Sequence, residues 1–258
     1  MALTLDLSGR HVLVTGASRG IGRAAAEALA AAGATVGVHY HRNEAAAREL
    51  ADTLGHGARA FQANLADADA AAGLFAEAVK AFGRVDVLVN NAGVADGVAL
   101  DAEADDWLGV WERTMAVNLR AVGVLCRAAA AHFIQQGAEH GGGRIINVAS
   151  RAAFRGDTPE YVAYAASKGG VVALTRSLAR GLGKQGIVAF TLAPGFTRTD
   201  MAQPFIEQYG ADYATSDLAL NRMTEPEDIA PTIVFLASGQ MDHATGCTID
   251  LNAGSYVH

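Results

Sequence analysis

Tyr164 and Lys168 stand four residues apart, fourteen residues downstream of Ser150. On a helix, positions i and i+4 share a face about 5–6 Å apart. That spacing brings an ammonium near a phenol and favours the phenolate. A phenol titrates near pH 10, so at neutrality it is a poor proton donor or acceptor. Lowering it by about three units requires roughly 4 kcal/mol of differential stabilisation, which a neighbouring cation and a second bound positive charge could supply. A hydroxyl at Ser150 could hydrogen-bond a carbonyl; from position alone it could equally close an ST-turn or cap a helix. The chemistry this trio suits is proton transfer at an oxygen. Ser/His/Asp hydrolysis is disfavoured, because no G-x-S-x-G elbow frames a serine. Tyr and Lys at this spacing also occur by chance, so the weight rests on the elements that position them.

Those elements alternate. Strands are predicted at 10–14, 35–40, 58–62, 85–89, 144–148, 187–192 and 248–251. Helices are predicted at 21–32, 44–54, 67–82, 105–136 (broken near its start), 162–182 and 225–237. Continuous apolar strands alternating with helices make a parallel sheet covered on both faces. The expectation is therefore an α/β fold, a doubly wound parallel sheet of Rossmann type with helices on both faces. With no linker or repeat in 258 residues, it is read as a single domain, 1–258. Ligands in such sheets bind beyond the carboxyl ends of the strands. The polar and Gly-rich segments fall there, after strands one, four, five and six.

Composition narrows the function further. A net charge of −7 disfavours polyanion binding, so nucleic acid is not an expected partner. No apolar run reaches the ~18 residues of a membrane span, and residues 1–6 lack the basic start of a signal peptide; a cytoplasmic location and no membrane partner are expected. Cys126 and Cys247 form neither a metal-ligand spacing nor a disulfide framework, and the eight histidines complete no metal site.

Thr15-Gly16-Ala17-Ser18-Arg19-Gly20-Ile21-Gly22 follows the first strand and opens a helix. Glycines there allow a tight turn and let backbone approach a pyrophosphate at the helix N-terminus. The spacing is G-x-x-x-G-x-G rather than G-x-G-x-x-G. The second strand ends in His39-Tyr40-His41-Arg42 with no acid to chelate ribose hydroxyls. His41, Arg42 and Arg19 suit a 2′-phosphate instead, favouring NADP(H) with NAD(H) as the other possibility. Asn90-Asn91-Ala92-Gly93 ends the fourth strand with two amides and a small pair that permits close approach. Asn118 is a poor helix former unless it has a polar task.

Together these residues resemble the short-chain dehydrogenase/reductase family, from about Leu7 to Gly254. The marks occur in order: the 15–22 turn, 90–93, Asn118, Ser150, Tyr164 with Lys168, and Pro194-Gly195-Phe196-Thr197-Arg198-Thr199, followed by 226–230 and Thr245-Gly246. Tyr161 competes with Tyr164, but its i+4 residue is Ala165. The resemblance implies hydride transfer between a nicotinamide and a carbonyl or secondary alcohol, with Asn118, Ser150, Tyr164 and Lys168 as catalytic residues. Tyr164 would exchange the proton, Ser150 would polarise the oxygen, Lys168 would lower the phenol's pKa and hold the nicotinamide ribose, and Asn118 would support a proton relay. Cofactor contacts would come from Gly16, Ser18, Arg19, Gly20, Ile21, Gly22, His41, Arg42, Asn64, Leu65, Asn91, Ala92, Gly93, Pro194, Gly195, Thr197 and Thr199, as well as Tyr164 and Lys168.

Several positions depart from the family pattern. Asn64-Leu65 replaces a common Asp-Val, and Asn252-Ala253-Gly254 a late Asp-Gly-Gly. One extra residue separates Ser150 from Tyr164, and segments 98–106 and 137–143 look extended. General similarity points to a ketoreductase of the 3-oxoacyl-acyl-carrier-protein reductase type. A sugar or polyol dehydrogenase is the alternative, and a non-catalytic nicotinamide-binding sensor a third. Residues 201–222 would form a substrate lid carrying Phe205, Ile206, Tyr209, Tyr213 and Leu218, with Phe154, Tyr161 and Phe196 as further apolar wall or, equally, as packing. Helix 162–182 reads as apolar on nearly all sides, which implies burial of both faces and a homo-oligomer. The family resemblance makes that a homotetramer.

Overall fold

A computed structural model describes residues 5–137, 142–210 and 215–257. Among them, seven strands form one parallel sheet: β1 (His11–Val14), β2 (Thr35–Tyr40), β3 (Arg59–Gln62), β4 (Val87–Asn90), β5 (Gly143–Val148), β6 (Ile187–Pro194) and β7 (Thr248–Leu251). The spatial order is β3-β2-β1-β4-β5-β6-β7, with every neighbouring pair parallel. The doubly wound α/β expectation is met. The order reverses between β1 and β4, and a crevice opens at the carboxyl ends of these two strands.

Alternate residues of each strand feed two cores. Val12, Val14, Val36 and Val38 face α1 (Gly20–Ala31), α2 (Glu44–Leu54) and the helix Pro226–Ala237. Leu13, Leu88 and Ile145 face α3 (Ala68–Phe82), α5 (Ala121–Gln136) and α7 (Val162–Leu182). Local sequence sets the helix ends. Asp67 caps α3 by accepting the amides of Asp69 (2.8 Å) and Ala70 (3.2 Å), and Gly83, at φ 80°, closes it.

The helix expected over 105–136 runs as α4 (Ala104–Met115), a π-helical turn (Ala116–Arg120) and α5. Asn118 lies in that turn, fully buried. Over its 33 residues it is the one helix among those described that is long and apolar enough to cross a bilayer. Here its α5 half packs Leu125 and Phe133 into the sheet core.

A short α6 (Ala152–Arg155) follows Ser150, and α8 (Gln203–Tyr209) lies within the expected lid; we number Pro226–Ala237 as α9. Tyr213, residues 138–141 of the extended loop and the side chain of Tyr209 lie outside the described residues. In the single chain one face of α7 packs inward and the other is open, the face that the expected homo-oligomer would cover. Val171, Val172, Thr175 and Ala179 are buried, but Ala166, Ala173, Arg176 and Ser177 are exposed.

Gly143 begins β5 directly beneath Phe133, and a Cβ there would lie 2.0 Å from two ring carbons. Phe133 is fully buried and has no room to swing away. Gly143→Ala should therefore lower stability by about 1–3 kcal/mol through overpacking, seen as a lower urea midpoint at unchanged m-value.

Candidate active site

The turn between β1 and α1 is tied to the end of β4. The Thr15 hydroxyl accepts the amides of Asn91 (2.9 Å) and Ala92 (3.0 Å). The Asn91 side-chain amide donates to the carbonyls of Thr15 (2.9 Å) and Gly16 (3.2 Å). Gly16, at φ 64°, sits so close that a Cβ would come 2.9 Å from the Ala92 Cα. Gly20, at φ 55°, abuts Thr199, and a Cβ on Gly22 would fall 2.3 Å from the Gly16 carbonyl oxygen. Arg19 precedes α1 without a side-chain cap, leaving first-turn amides for an outside acceptor. Open helix amides, a backbone-only surface and half-buried Ser18 and Ile21 fit a dinucleotide pyrophosphate.

Beyond the crevice, four predicted residues converge. A Cβ on Gly93 would lie 3.4 Å from both Asn118 Oδ1 and Lys168 Nζ. The Asn118 side chain clamps Val94, accepting its amide (2.8 Å) and donating to its carbonyl (2.8 Å), and also donates to Ser167 Oγ (3.2 Å). Ser167 in turn donates to the Tyr164 carbonyl (2.7 Å). Lys168, nearly buried, donates to the Val148 carbonyl (2.9 Å), with its ammonium 5.7 Å from the centre of the Tyr164 ring. Ser150 Oγ accepts the Ala152 amide (3.1 Å).

Burial lowers the Lys168 ammonium to about 8. It raises the Tyr164 phenol above its ordinary value; a hydrogen bond with Ser150 opposes that rise and the Asp157 carboxylate adds to it. In the chain by itself the phenol is raised; the expected lowering draws on the positive charge of a bound cofactor as well as on Lys168. Burial is the largest cause, and the Lys168 ammonium is directed at the Val148 carbonyl rather than at the phenol oxygen.

On the far side of the crevice, Pro194 is buried, and a Cβ on Gly195 would meet the Asn252 Cα at 2.7 Å. Thr197 donates to the Gly195 carbonyl (3.2 Å) and Thr199 to the Thr197 carbonyl (3.4 Å). The divergent Asn252 is buried and donates to the Tyr256 carbonyl (2.9 Å), anchoring the segment after β7. At the other end of the crevice His41 and Arg42 are exposed. Arg19, also exposed, pairs with Asp200 at 3.1 Å. Asn64 is exposed and turns its Oδ1 onto the Ala66 amide (3.1 Å), whereas Leu65 is buried. Reading the sequence missed three contributors: the Thr15 hydroxyl, Ser167 and His39.

A sequence model of the short chain dehydrogenase family matches residues 10–210. The chain belongs to the short-chain dehydrogenase family. It is 39% identical over 258 residues to an L-rhamnose 1-dehydrogenase (NAD(P)(+)) of Sphingomonas sp. (strain SKA58), covering 98% of each chain. It is 34% identical over 254 residues to a 3-oxoacyl-[acyl-carrier-protein] reductase of Vibrio harveyi, covering 98% of this chain and 100% of that one. The crystal structure of a short chain dehydrogenase from Burkholderia cenocepacia J2315 in complex with NADP superposes with a TM-score of 0.86 at 36% identity, covering 96% of this chain and 98% of the other. This dehydrogenase is accordingly an oxidoreductase that acts on alcohols or carbonyls with NAD(P).

The depressed value of Lys168 has a consequence for stability. Its native pKa lies below the unfolded value, so the charged side chain weakens the fold below pH 8, and the cost fades as pH rises from about 8 toward 10.5. At roughly 1.4 kcal/mol per unit this is on the order of 3 kcal/mol. Lys168→Met should melt several degrees higher than the wild type at pH 7, with the gain shrinking at pH 9–10 by calorimetry.

Proposed function

We propose that this dehydrogenase is an NADP(H)-dependent ketoreductase of the 3-oxoacyl type. The supporting observation is the aromatic character of the segments flanking Ser150 and Tyr164. Phe154 stacks on Tyr256 with ring centres 6.5 Å apart, Phe196 meets Phe205 at 5.0 Å, and the Tyr161 ring lies against Gly97. Such walls suit an acyl chain better than a polyhydroxyl substrate, because they offer few partners for the hydroxyls a sugar would have to desolvate. The second reading, a sugar or polyol dehydrogenase, is favoured by the 39% identity to the L-rhamnose enzyme.

In the proposed mechanism the bound nicotinamide supplies the hydride. The Ser150 hydroxyl donates to the substrate carbonyl oxygen and fixes its direction. Tyr164 transfers its phenolic proton to that oxygen as negative charge develops, completing the alcohol. Lys168 stabilises the phenolate left behind and would hold the nicotinamide ribose. Asn118 keeps the segment after β4 and helix α7 at a fixed separation, so that the path from Lys168 to solvent stays aligned.

The turn 16–22 would take the pyrophosphate, with Asn64 and Leu65 at the adenine and residues 194–199 at the carboxamide. Arg42, His41 and Arg19 would meet the 2′-phosphate, with Arg19 exchanging Asp200 for it. Residues 201–222 would act as the lid of a single domain. Leu108 on α4, 49% exposed, and the outward small-residue face of α7 would be covered in a homotetramer.

NADPH oxidation with a short β-ketoacyl thioester should exceed NADP⁺ reduction with L-rhamnose or polyols; the reverse ranking favours the second reading. Tyr164→Phe should cut turnover by about 10²–10⁴ while leaving NADPH affinity intact in a fluorescence titration, and retention of full turnover would refute the mechanism. Arg42→Ala should weaken NADPH about ten- to hundredfold, the range of a charged hydrogen bond, and spare NADH.

A further inference from the structure

His39 lies at the carboxyl end of β2, 2% exposed, on the face that Gly37 shares with Phe61 and Phe82. Three contacts fix it. Its backbone carbonyl accepts the Ala17 amide (2.9 Å). Its Nδ1 accepts the Gly16 amide at 3.0 Å, and its Nε2 stands 3.2 Å from the Ala63 carbonyl oxygen. An amide only donates and a carbonyl only accepts, so Nδ1 must be bare and Nε2 must carry the proton. The neutral Nε2–H tautomer alone satisfies both partners. Burial pushes the ring's pKa down to about 4, with His41 acting in the same direction and the Ala63 carbonyl against it. The ring therefore stays neutral wherever the protein works.

The two partners belong to different parts of the crevice. Gly16 begins the turn over α1, and Ala63 leads into Asn64 and Leu65. We propose that His39 is a positioning residue that sets the turn 16–22 against residues 63–65, and so preorganises the adenosine-diphosphate half of the cofactor site. The proposal rests on the cofactor reading given above. The nicotinamide half is held by other elements, so loss of His39 is felt in affinity rather than in the chemical step.

The test is isothermal titration of the full-length protein with NADP⁺ and with ADP-ribose, which lacks the nicotinamide, alongside steady-state kinetics. His39→Phe fills the ring's volume but makes neither hydrogen bond, whereas His39→Asn keeps an acceptor at the Nδ1 position for the Gly16 amide. His39→Phe should bind both ligands about tenfold more weakly, the worth of one or two net hydrogen bonds, with KM for the cofactor raised and kcat retained. His39→Asn, which retains the Gly16 bond alone, should recover part of the loss.

Wild-type ADP-ribose affinity in a folded His39→Phe protein would overturn the proposal. So would equal losses in the Phe and Asn variants, or a fall in kcat at unchanged affinity. Failure of the wild-type protein to bind either ligand would remove the cofactor reading, and this proposal with it.

Discussion

Where β1 and β4 end side by side, the chain leaves in opposite directions, and the space between is bridged by one hydroxyl and one carboxamide. Thr15 receives two amides from the β4 end, and Asn91 returns two hydrogen bonds to the β1 end. These groups are largely shielded from water, so each partner left unmade would cost its full desolvation, about 1–3 kcal/mol. The exchange holds Gly16 against Ala92 at a distance no side chain could occupy. The proposed site residues are placed relative to that seam: Gly93 beside Asn118 and Lys168 on one side, Gly20 beside Thr199 on the other.

The second organising fact is that the residues proposed for the chemistry sit where charge is unwelcome. Lys168 is 4% exposed and its ammonium is directed at a single backbone carbonyl. The neighbouring phenol is raised rather than lowered. The chain therefore supplies geometry and a low-dielectric setting, in which a further positive charge brought by a ligand has a large effect on Tyr164. The π-helical turn belongs to the same arrangement. π-bulges occur frequently at functional sites, and this one coincides with Asn118, whose amide joins the segment after β4 to α7.

Much of this was legible in the sequence because it depends on periodicity and on short spacings. Apolar strands at regular intervals specify a parallel sheet. Tyr164 and Lys168 need only one helix to be neighbours, and Gly16, Gly20 and Gly22 need only one turn. Other features depend on contacts between distant segments and leave no local trace. Arg19 meets Asp200 across 181 positions, and Phe154 stacks on Tyr256 from the far end of the chain. His39 looked like one of several scattered histidines, since its partners are backbone atoms, which every residue carries.

Asn252 supports the cleft from behind. It lies beyond β7, the strand furthest from β3 across the sheet, and bears none of the proposed chemistry. Yet its backbone is the surface against which Gly195 rests, and its amide holds the Tyr256 carbonyl, two residues past Gly254. Damage to the segment after β7 would reach the cleft as a loss of support rather than a loss of reagent: the loop carrying Thr197 and Thr199 would drift with every reactive group still present.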